Sequence, residues 1–436
     1  MTAVLNADLV GADSSTRQLA TLSHENGAVE VTIRIDNFSH IESAFGCAGI
    51  RAAAAMIDMI VGQSGQGMRF PRAHRPDLIA ISFGQKSVHE AARRLEALIA
   101  DLSSSPVEVG GRCFHLAVSC PVFPEANSLA SSPVLPAGEP ACDDEAWAEA
   151  YRRDMAVAVE VLAAMADGRV DLSWQPVLSM QSQGEVLYHE ALARLTAATG
   201  EARSPGDFFP ALERLGLVRA FDRHVMGLAL DEMENFPGAR LGINISAQSA
   251  RIDGWWSSMF DRLRAAPDVA GRLVVEITET AALAGEAHAF VARLRRLGCR
   301  VALDDFGVGH SSIRNAMALS PDIIKIDAFF LRRVTLSAHG EAMLEHILGL
   351  AAHMAPIVIV EGVETEEQSE IAERLQSRYA TPLNACWQQG YHVGLPSLWR
   401  RWRYEDEPVV VPLHQLGRGT GRFRPWSPNY QPGGRA

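Results

Sequence analysis

The chain carries two adjacent carboxylates, Asp304 and Asp305, between a short apolar run, Val301 to Leu303, and the glycines Gly307 and Gly309. A run of that kind reads as a buried strand, and the glycines can supply a tight turn behind it. Two acids at one strand tip are costly unless cations or protons compensate them. Neighbouring residues of a strand point to opposite faces, so this pair can share a site only where strand gives way to loop. Taken alone, an acidic surface turn explains the stretch equally well. The same design recurs, however: apolar runs end in Glu190, Asn244, Glu276, Lys325 and Glu361, and Gln389 follows a shorter one. With Asp304 included, successive members fall 54, 32, 28, 21, 36 and 28 residues apart.

Carboxylates and an amide oxygen, with no histidine cluster or thiolates among them, suit hard divalent cations rather than zinc. Two such ions roughly 3.5–4 Å apart activate a water and stabilise the attacking and leaving oxygens of a displacement at phosphorus. The reaction class is then phosphodiester hydrolysis. The sequence has neither a Walker loop nor a His-Glu-x-x-His pattern, which disfavours a P-loop nucleotidase or a zinc protease. Period-two alternation puts Glu190, Leu192 and Arg194 on one strand face, so a metal ligand and a phosphate-binding guanidinium can serve one substrate.

Intervals close to one strand-helix unit each predict a (β/α)8 barrel whose strands present their C-terminal ends on one rim. The alternating pattern runs to about Pro396, and an alanine-rich helix from Glu145 to Asp167, stopped by Gly168, precedes it. Upstream, a strand over Val29 to Ile35, a helix over Asn37 to Met59, a strand over Leu78 to Phe83, a helix over Val88 to Leu102 and a hairpin over Val107 to Val122 turning at Gly110-Gly111 predict a smaller α+β domain. The division expected is a disordered leader over 1–24, the α+β domain over 25–123, a Pro- and Ser-rich linker over 124–144, the barrel over 145–404 and a disordered, Arg-bearing tail over 405–436. A barrel so bounded is expected to fold without residues 1–143.

Length and charge narrow the partners. The 436 residues suit two domains, and a net charge of −12 argues against binding a DNA or RNA polymer. Six cysteines without a Cys-x-x-Cys pair suit reduced thiols in a cytoplasm. The N-terminus has no signal-peptide pattern, and the apolar run from Ala52 to Val61 is short and broken by Asp58, so no membrane span is expected.

Residues from about Tyr151 to Pro396 resemble the EAL domain of cyclic di-GMP phosphodiesterases. Gln175-Pro176-Val177, Glu190-Ala191-Leu192-Ala193-Arg194, Asn244-Ile245-Ser246, Glu276-Ile277-Thr278-Glu279, Asp304-Asp305-Phe306-Gly307, Lys325-Ile326-Asp327, Glu361-Gly362-Val363-Glu364-Thr365 and Gln389-Gly390-Tyr391 carry the likeness. It implies a cytoplasmic barrel that hydrolyses cyclic di-GMP to linear pGpG with two Mg2+ or Mn2+ ions. By the same resemblance Glu190, Asn244, Glu276 and Asp304 hold the first ion, and Asp304, Asp305 and Glu361 the second. Lys325 orients and helps deprotonate the attacking water, Gln389 positions water or phosphate, and Glu279 clamps the loop after Asp305. Gln175, Leu192 and Arg194 contact the dinucleotide beside Glu190 and Asn244. A rim salt bridge to Asp327 is the plainer role for Lys325. Val308 and His310 depart from the Thr and Tyr usual in the family. The upstream half resembles a degenerate GGDEF domain, through Ile35-Asp36-Asn37-Phe38, Phe45-Gly46 and Ser119-Cys120-Pro121. Pro76-Asp77-Leu78-Ile79-Ala80 replaces the signature, so a regulatory, non-cyclising role is implied. The alternative to an enzyme is a quiet receptor that passes cyclic di-GMP occupancy to a partner; a homodimer through the barrel and a regulatory protein partner are left open.

Overall fold

The computed structural model of the chain describes residues 23–25, 28–64, 67–69, 76–83, 88–120, 145–181, 184–278, 285–308, 312–334, 338–381 and 386–403. The expected linker over 124–144 and tail over 405–436 lie outside them, as does the leader up to residue 22.

The first unit is a small sheet with two helices. Strands β1 (Ser23–Glu25), β2 (Ala28–Ile35), β3 (Gly67–Arg69) and β4 (Leu78–Phe83) run in the order β1-β2-β4-β3, all antiparallel. The expected leader therefore gives way to an edge strand at Ser23. Helix α1 (Phe38–Gln63) is broken at Gly46, whose φ of 63° no helix accommodates. By length and composition it is apolar enough to cross a membrane, but its Ile41, Ala53, Ile57 and Val61 are buried in this unit's core. Helix α2 is Val88–Ser104. The hairpin is shorter than its sequence suggested: β5 (Val107–Val109) and β6 (Arg112–Phe114) turn at Gly110-Gly111, and β7 (Val118–Ser119) leaves to pair with β2.

Helix α3 (Glu145–Ala166) joins this unit to the second, ending where Gly168 takes φ 65°. The barrel strands are β8 (Val170–Ser179), β9 (Val186–Thr196), β11 (Leu241–Ile245), β12 (Leu273–Thr278), β13 (Arg300–Phe306), β14 (Ile323–Ile326), β15 (Ile357–Val360) and β16 (Trp387–Gln388), with β10 (Ala202–Arg203) a short flank on β9. The order β9-β11-β12-β13-β14-β15-β16-β8 closes on itself through β8 and β9. One expectation fails here. Strand β8 runs antiparallel to both of its neighbours, so only seven strands share a direction. No helix connects β8 to β9, and two strands so joined pair antiparallel. Helices α4 (Pro205–Leu215), α5 (Val218–Asn235), α6 (Ser257–Ala265), α7 (Pro267–Ala270), α8 (Gly285–Leu297), α9 (Ser312–Leu319), α10 (Ala328–Val334), α11 (Ala338–Met354) and α12 (Glu366–Gln376) fill the crossovers.

The barrel interior below the rim is apolar: Val177, Tyr188, Val274, Ala302, Ile323, Ile357, Ile359 and Trp387 pack together. Residues 395–403 strap the antiparallel strand. Ser397 bridges Trp174 of β8 through two backbone bonds, and Trp402 lies edge-on to Trp174 and His189. Glu232 of α5 holds the strap by accepting from Trp402 Nε1 at 2.8 Å and from Arg400 and Arg403 at 3.0 Å each.

The two units share one core, contrary to what a linker boundary alone implies. Asn37 Nδ2 donates to His115 O and to the Tyr151 hydroxyl of α3, and Tyr151 stacks on His40 while Trp147 lies tilted against it. On the barrel side Trp255 Nε1 donates to Val118 O at 2.9 Å, and buried Glu96 of α2 accepts from Arg223 and from the Ser258 backbone at 2.7 Å each. Tyr151, Met155, Ala158 and Val161 of α3 are buried along this seam, and a large apolar side chain so buried contributes about 1.5–3 kcal/mol.

Candidate active site

The acid doublet is built by a local irregularity. Register between β13 and β14 shifts between Leu303 and Phe306, so β13 spends one residue more than its partner. The extra residue is a bulge, and Asp305 takes the left-handed φ of 54°. Both carboxylates thereby leave strand alternation and face one place, the condition the sequence set for them to share a site. Asp305 N–H donates to Asp304 Oδ1 at 3.0 Å, and oxygens of Asp304, Asp305 and Glu361 lie within 4.8 Å of one another.

Lys325 stands at the centre. Its side chain is fully buried, and Nζ lies 2.5 Å from Glu276 Oε2, 2.8 Å from Glu361 Oε1, 3.3 Å from Asp304 Oδ1 and 3.4 Å from Glu190 Oε2. The plainer role fails: Asp327 accepts from Phe329 N–H instead, at 2.7 Å. Glu190 also accepts from Asn244 Nδ2 at 2.5 Å and from Gln389 Nε2. Gln389 is held because Gly390, at φ 154°, lies so close to Val363 that a Cβ would come within 2.2 Å of its nitrogen. A capping box between Thr365 and Gln368 starts α12 and fixes the turn after Glu361.

Four carboxylates thus face one ammonium, with Asp305 beside them, and their ionisation follows from burial and charge. Burial opposes the Lys325 charge, but Asp304, Glu190, Glu276 and Glu361 overcome it and raise the ammonium's pKa well above its ordinary value. Burial also pushes on Glu190, yet Lys325 and the bonds from Gln389 and Asn244 hold it below the usual range. Glu276 is pushed up to about 8, by burial first and by Glu190 and Asp304 against Lys325. Asp305 is pushed up to about 7, by burial and then by Asp304 and Asp327, while burial and Asp304 drive Glu361 well above the carboxylate range. Without further positive charge some of these acids hold protons at neutral pH.

A cleft of about 300 Å³ opens on this cluster, with Gln175, Glu190, Glu361 and Gln389 on its walls. Gln175 Nε2 donates to Gly394 O at 3.0 Å. Leu192 and Arg194 follow Glu190 on β9 but are not among the cleft's lining residues, and Arg194 donates to Ala193 O. Glu279 and His310 lie outside the described residues, and Val308 is exposed. Sequence reasoning gave no role to Arg332, Glu364 or Tyr391 of the cleft wall. Glu364 and Tyr391 sit inside motifs already singled out; nothing in its spacing marks Arg332. Asp222 of α5 also went unnoticed. It accepts from Ser246 N–H at 3.0 Å and from Ser249 Oγ at 2.6 Å, pinning the turn that follows Asn244.

The EAL domain family model matches residues 158–394, more than half of the chain. The cyclic di-GMP phosphodiesterase PdeF of Escherichia coli (strain K12) is 30% identical over 241 residues, covering 54% of this chain and 31% of PdeF. The cyclic di-GMP phosphodiesterase NbdA of Pseudomonas aeruginosa is 29% identical over 218 residues, covering 48% of this chain and 28% of NbdA. The chain therefore spans about a third of the length of these curated relatives. Among solved structures, the EAL enzyme Bd1971 with cAMP and cyclic di-GMP bound matches with a TM-score of 0.50 at 21% identity, over 56% of this chain and 66% of that one, a likeness of fold.

Proposed function

This chain belongs to the EAL domain family, and from that premise we propose that its barrel hydrolyses cyclic di-GMP to linear pGpG with two divalent cations, Mg2+ or Mn2+. The observation that carries the reading is the set of four carboxylates around one buried ammonium, with a fifth, Asp305, grouped with two of them. Buried acids in such excess are tolerated when cations complete the charge balance. The residues fit that demand: they offer only hard oxygens, and Glu276 Oε1 and Gln389 Oε1 are buried without a partner. Glu190, Asn244, Glu276 and Asp304 would hold one ion, and Asp304, Asp305 and Glu361 the other. Bound there, the ions supply neutralising charge to the phosphodiester and make a water acidic enough to attack.

The chain's own groups do the rest. Lys325 keeps its charge and orients the water, Gln389 positions it, and Glu361 takes its proton. The water oxygen joins phosphorus as the P–O3′ bond breaks, and the leaving O3′ takes up a proton from solvent, leaving a 5′-phosphate and a 3′-hydroxyl on pGpG. Gln175 supports the dinucleotide at the cleft wall, with Leu192 and Arg194 further along β9. The α+β unit is in this reading a degenerate, non-cyclising GGDEF-like domain regulating the barrel in cytoplasmic second-messenger signalling. Incubating the full chain with cyclic di-GMP and Mg2+ or Mn2+, with and without chelator, and resolving products by chromatography tests the proposal. Metal-dependent pGpG supports it. Tight binding without product makes the protein a receptor, and neither binding nor product overturns both readings.

A further inference from the structure

The acid cluster occupies the C-terminal rim of the barrel, and a second cavity, of about 180 Å³, opens at the opposite end. Arg240 immediately precedes β11, Arg272 immediately precedes β12, and Arg300 is the first residue of β13. Parallel pairing sets these starts side by side, Leu241 with Leu273 and Val274 with Arg300. The ladder fixes two of them further, since Arg240 O accepts from His189 N–H at 2.9 Å and Arg272 O from Leu241 N–H at 3.2 Å. All three arginines line the cavity, together with Leu187, Tyr188 and Val274. The three guanidiniums are not equivalent. Arg272 spends its donors on the carbonyls of Met233, Phe236, Ala239 and Asp268, so its charge is fixed in the wall. Its carboxylate partner Asp268 is 3.5 Å away and 77% exposed, a contact that water screens. Arg240 and Arg300 are exposed and, among the described residues, their side chains make no hydrogen bond or ion pair. No carboxylate is among the described residues that line the cavity. Like charges on neighbouring strands repel, and a chain with a net charge of −12 does not need these for solubility.

We infer that the N-terminal mouth of the barrel is an anion site, in which Arg240 and Arg300 hold a phosphoryl group by charge-assisted hydrogen bonds in the field of Arg272. A cleft lined by one sign of charge over apolar walls concentrates the opposite ion, and free guanidiniums suit the paired oxygens of a phosphoryl group. The cavity holds some six waters at about 30 Å³ each, enough for that group. It is smaller than the roughly 300–1,000 Å³ of pockets that enclose a whole drug-sized ligand. The phosphoryl group is therefore free phosphate, or the terminal phosphate of a nucleotide whose remainder stays outside the mouth. The site lies apart from the acid cluster and does not depend on the reaction proposed above.

The test is calorimetric titration of the full chain, stripped of metal by dialysis, with inorganic phosphate and separately with adenosine 5′-monophosphate. Without cations the acid cluster repels both anions. One phosphate per chain is expected to bind. Arg240→Gln and Arg300→Gln should each weaken it about tenfold or more, because each removes a charged donor from the anion. Both side chains are exposed, so the variants should melt no lower than the parent in phosphate-free buffer. Free phosphate binding as tightly as the nucleotide, or more tightly, assigns the site to phosphate itself; tighter binding of the nucleotide assigns it to a nucleotide's terminal phosphate. Absence of phosphate binding to the parent overturns the inference. An affinity that either substitution leaves unchanged does so too, since the anion then sits elsewhere.

Discussion

Lys325 sets its positive charge among four paired carboxylates, and its removal has opposite consequences with and without metal. We expect Lys325→Met to lower kcat by about 10²–10⁴-fold, the usual range for a group that manages a proton or its water. Added Mn2+ should raise the variant's melting temperature by more than it raises the parent's, because the ions then carry the whole neutralisation. Equal shifts would show that Lys325 and the cations do not share a charge balance. Asp305 separates stability from function in another way. A non-glycine residue at φ 54° is strained by about 1–2 kcal/mol, and this acid is in addition raised toward neutrality by burial. Asp305→Gly should therefore stabilise the metal-free protein while cutting turnover at least about tenfold for want of a ligand; a variant that is less stable as well as slow would refute the strain account. Every acid of the cluster was legible in the sequence, because each ends an apolar run. The bulge that turns Asp304 and Asp305 together was visible only as a requirement, since period-two reading has no place for an extra residue.

At the scale of elements, strand positions were legible and strand direction was not. An apolar run reads the same in either sense, and only the absence of a helix between β8 and β9 reveals that β8 is reversed. The seam between the units was equally hidden, because α3 is amphipathic whichever partner covers it. That seam carries a pH dependence. His115 is buried against α3, where its ring nitrogen meets Ser103 O at 3.0 Å, and burial lowers its pKa to about 4 against that bond. A histidine whose folded value lies below its unfolded one contributes stability in full above about pH 6.5 and loses it as pH falls toward 4. The raised acids Asp222 and Glu276 act in the opposite sense, so the measurement must be differential. Between pH 7 and pH 5, His115→Gln should lose up to about 2 kcal/mol less stability than the parent, at about 1.36 kcal/mol per pKa unit. Parallel stability curves for the two proteins would place the acid sensitivity elsewhere.

For the whole molecule, the shared core predicts that the full chain unfolds in a single cooperative transition, with near-ultraviolet dichroism and tryptophan fluorescence coinciding. Two separated transitions would restore the picture of two domains on a linker. A piece beginning at residue 145 would uncover Tyr151, Met155 and Trp255, so it should melt lower than the full chain or aggregate, in contrast to the free-standing barrel its sequence suggested. Composition and spacing revealed the two units, but the residues that weld them lie far apart in the chain and share no motif. The order in which the ribosome delivers the chain gives the strap of residues 395–403 another meaning. Strand β8 is made first and meets β9 at once, yet its other neighbour, β16, and the residues that bridge Trp174 emerge some two hundred positions later. Through most of translation the growing barrel is an open, curved sheet with two unpaired edges, each able to recruit a foreign strand. A message that ends before codon 387 yields a protein holding Glu190, Lys325 and Glu361 with nothing to draw its first strand to its last.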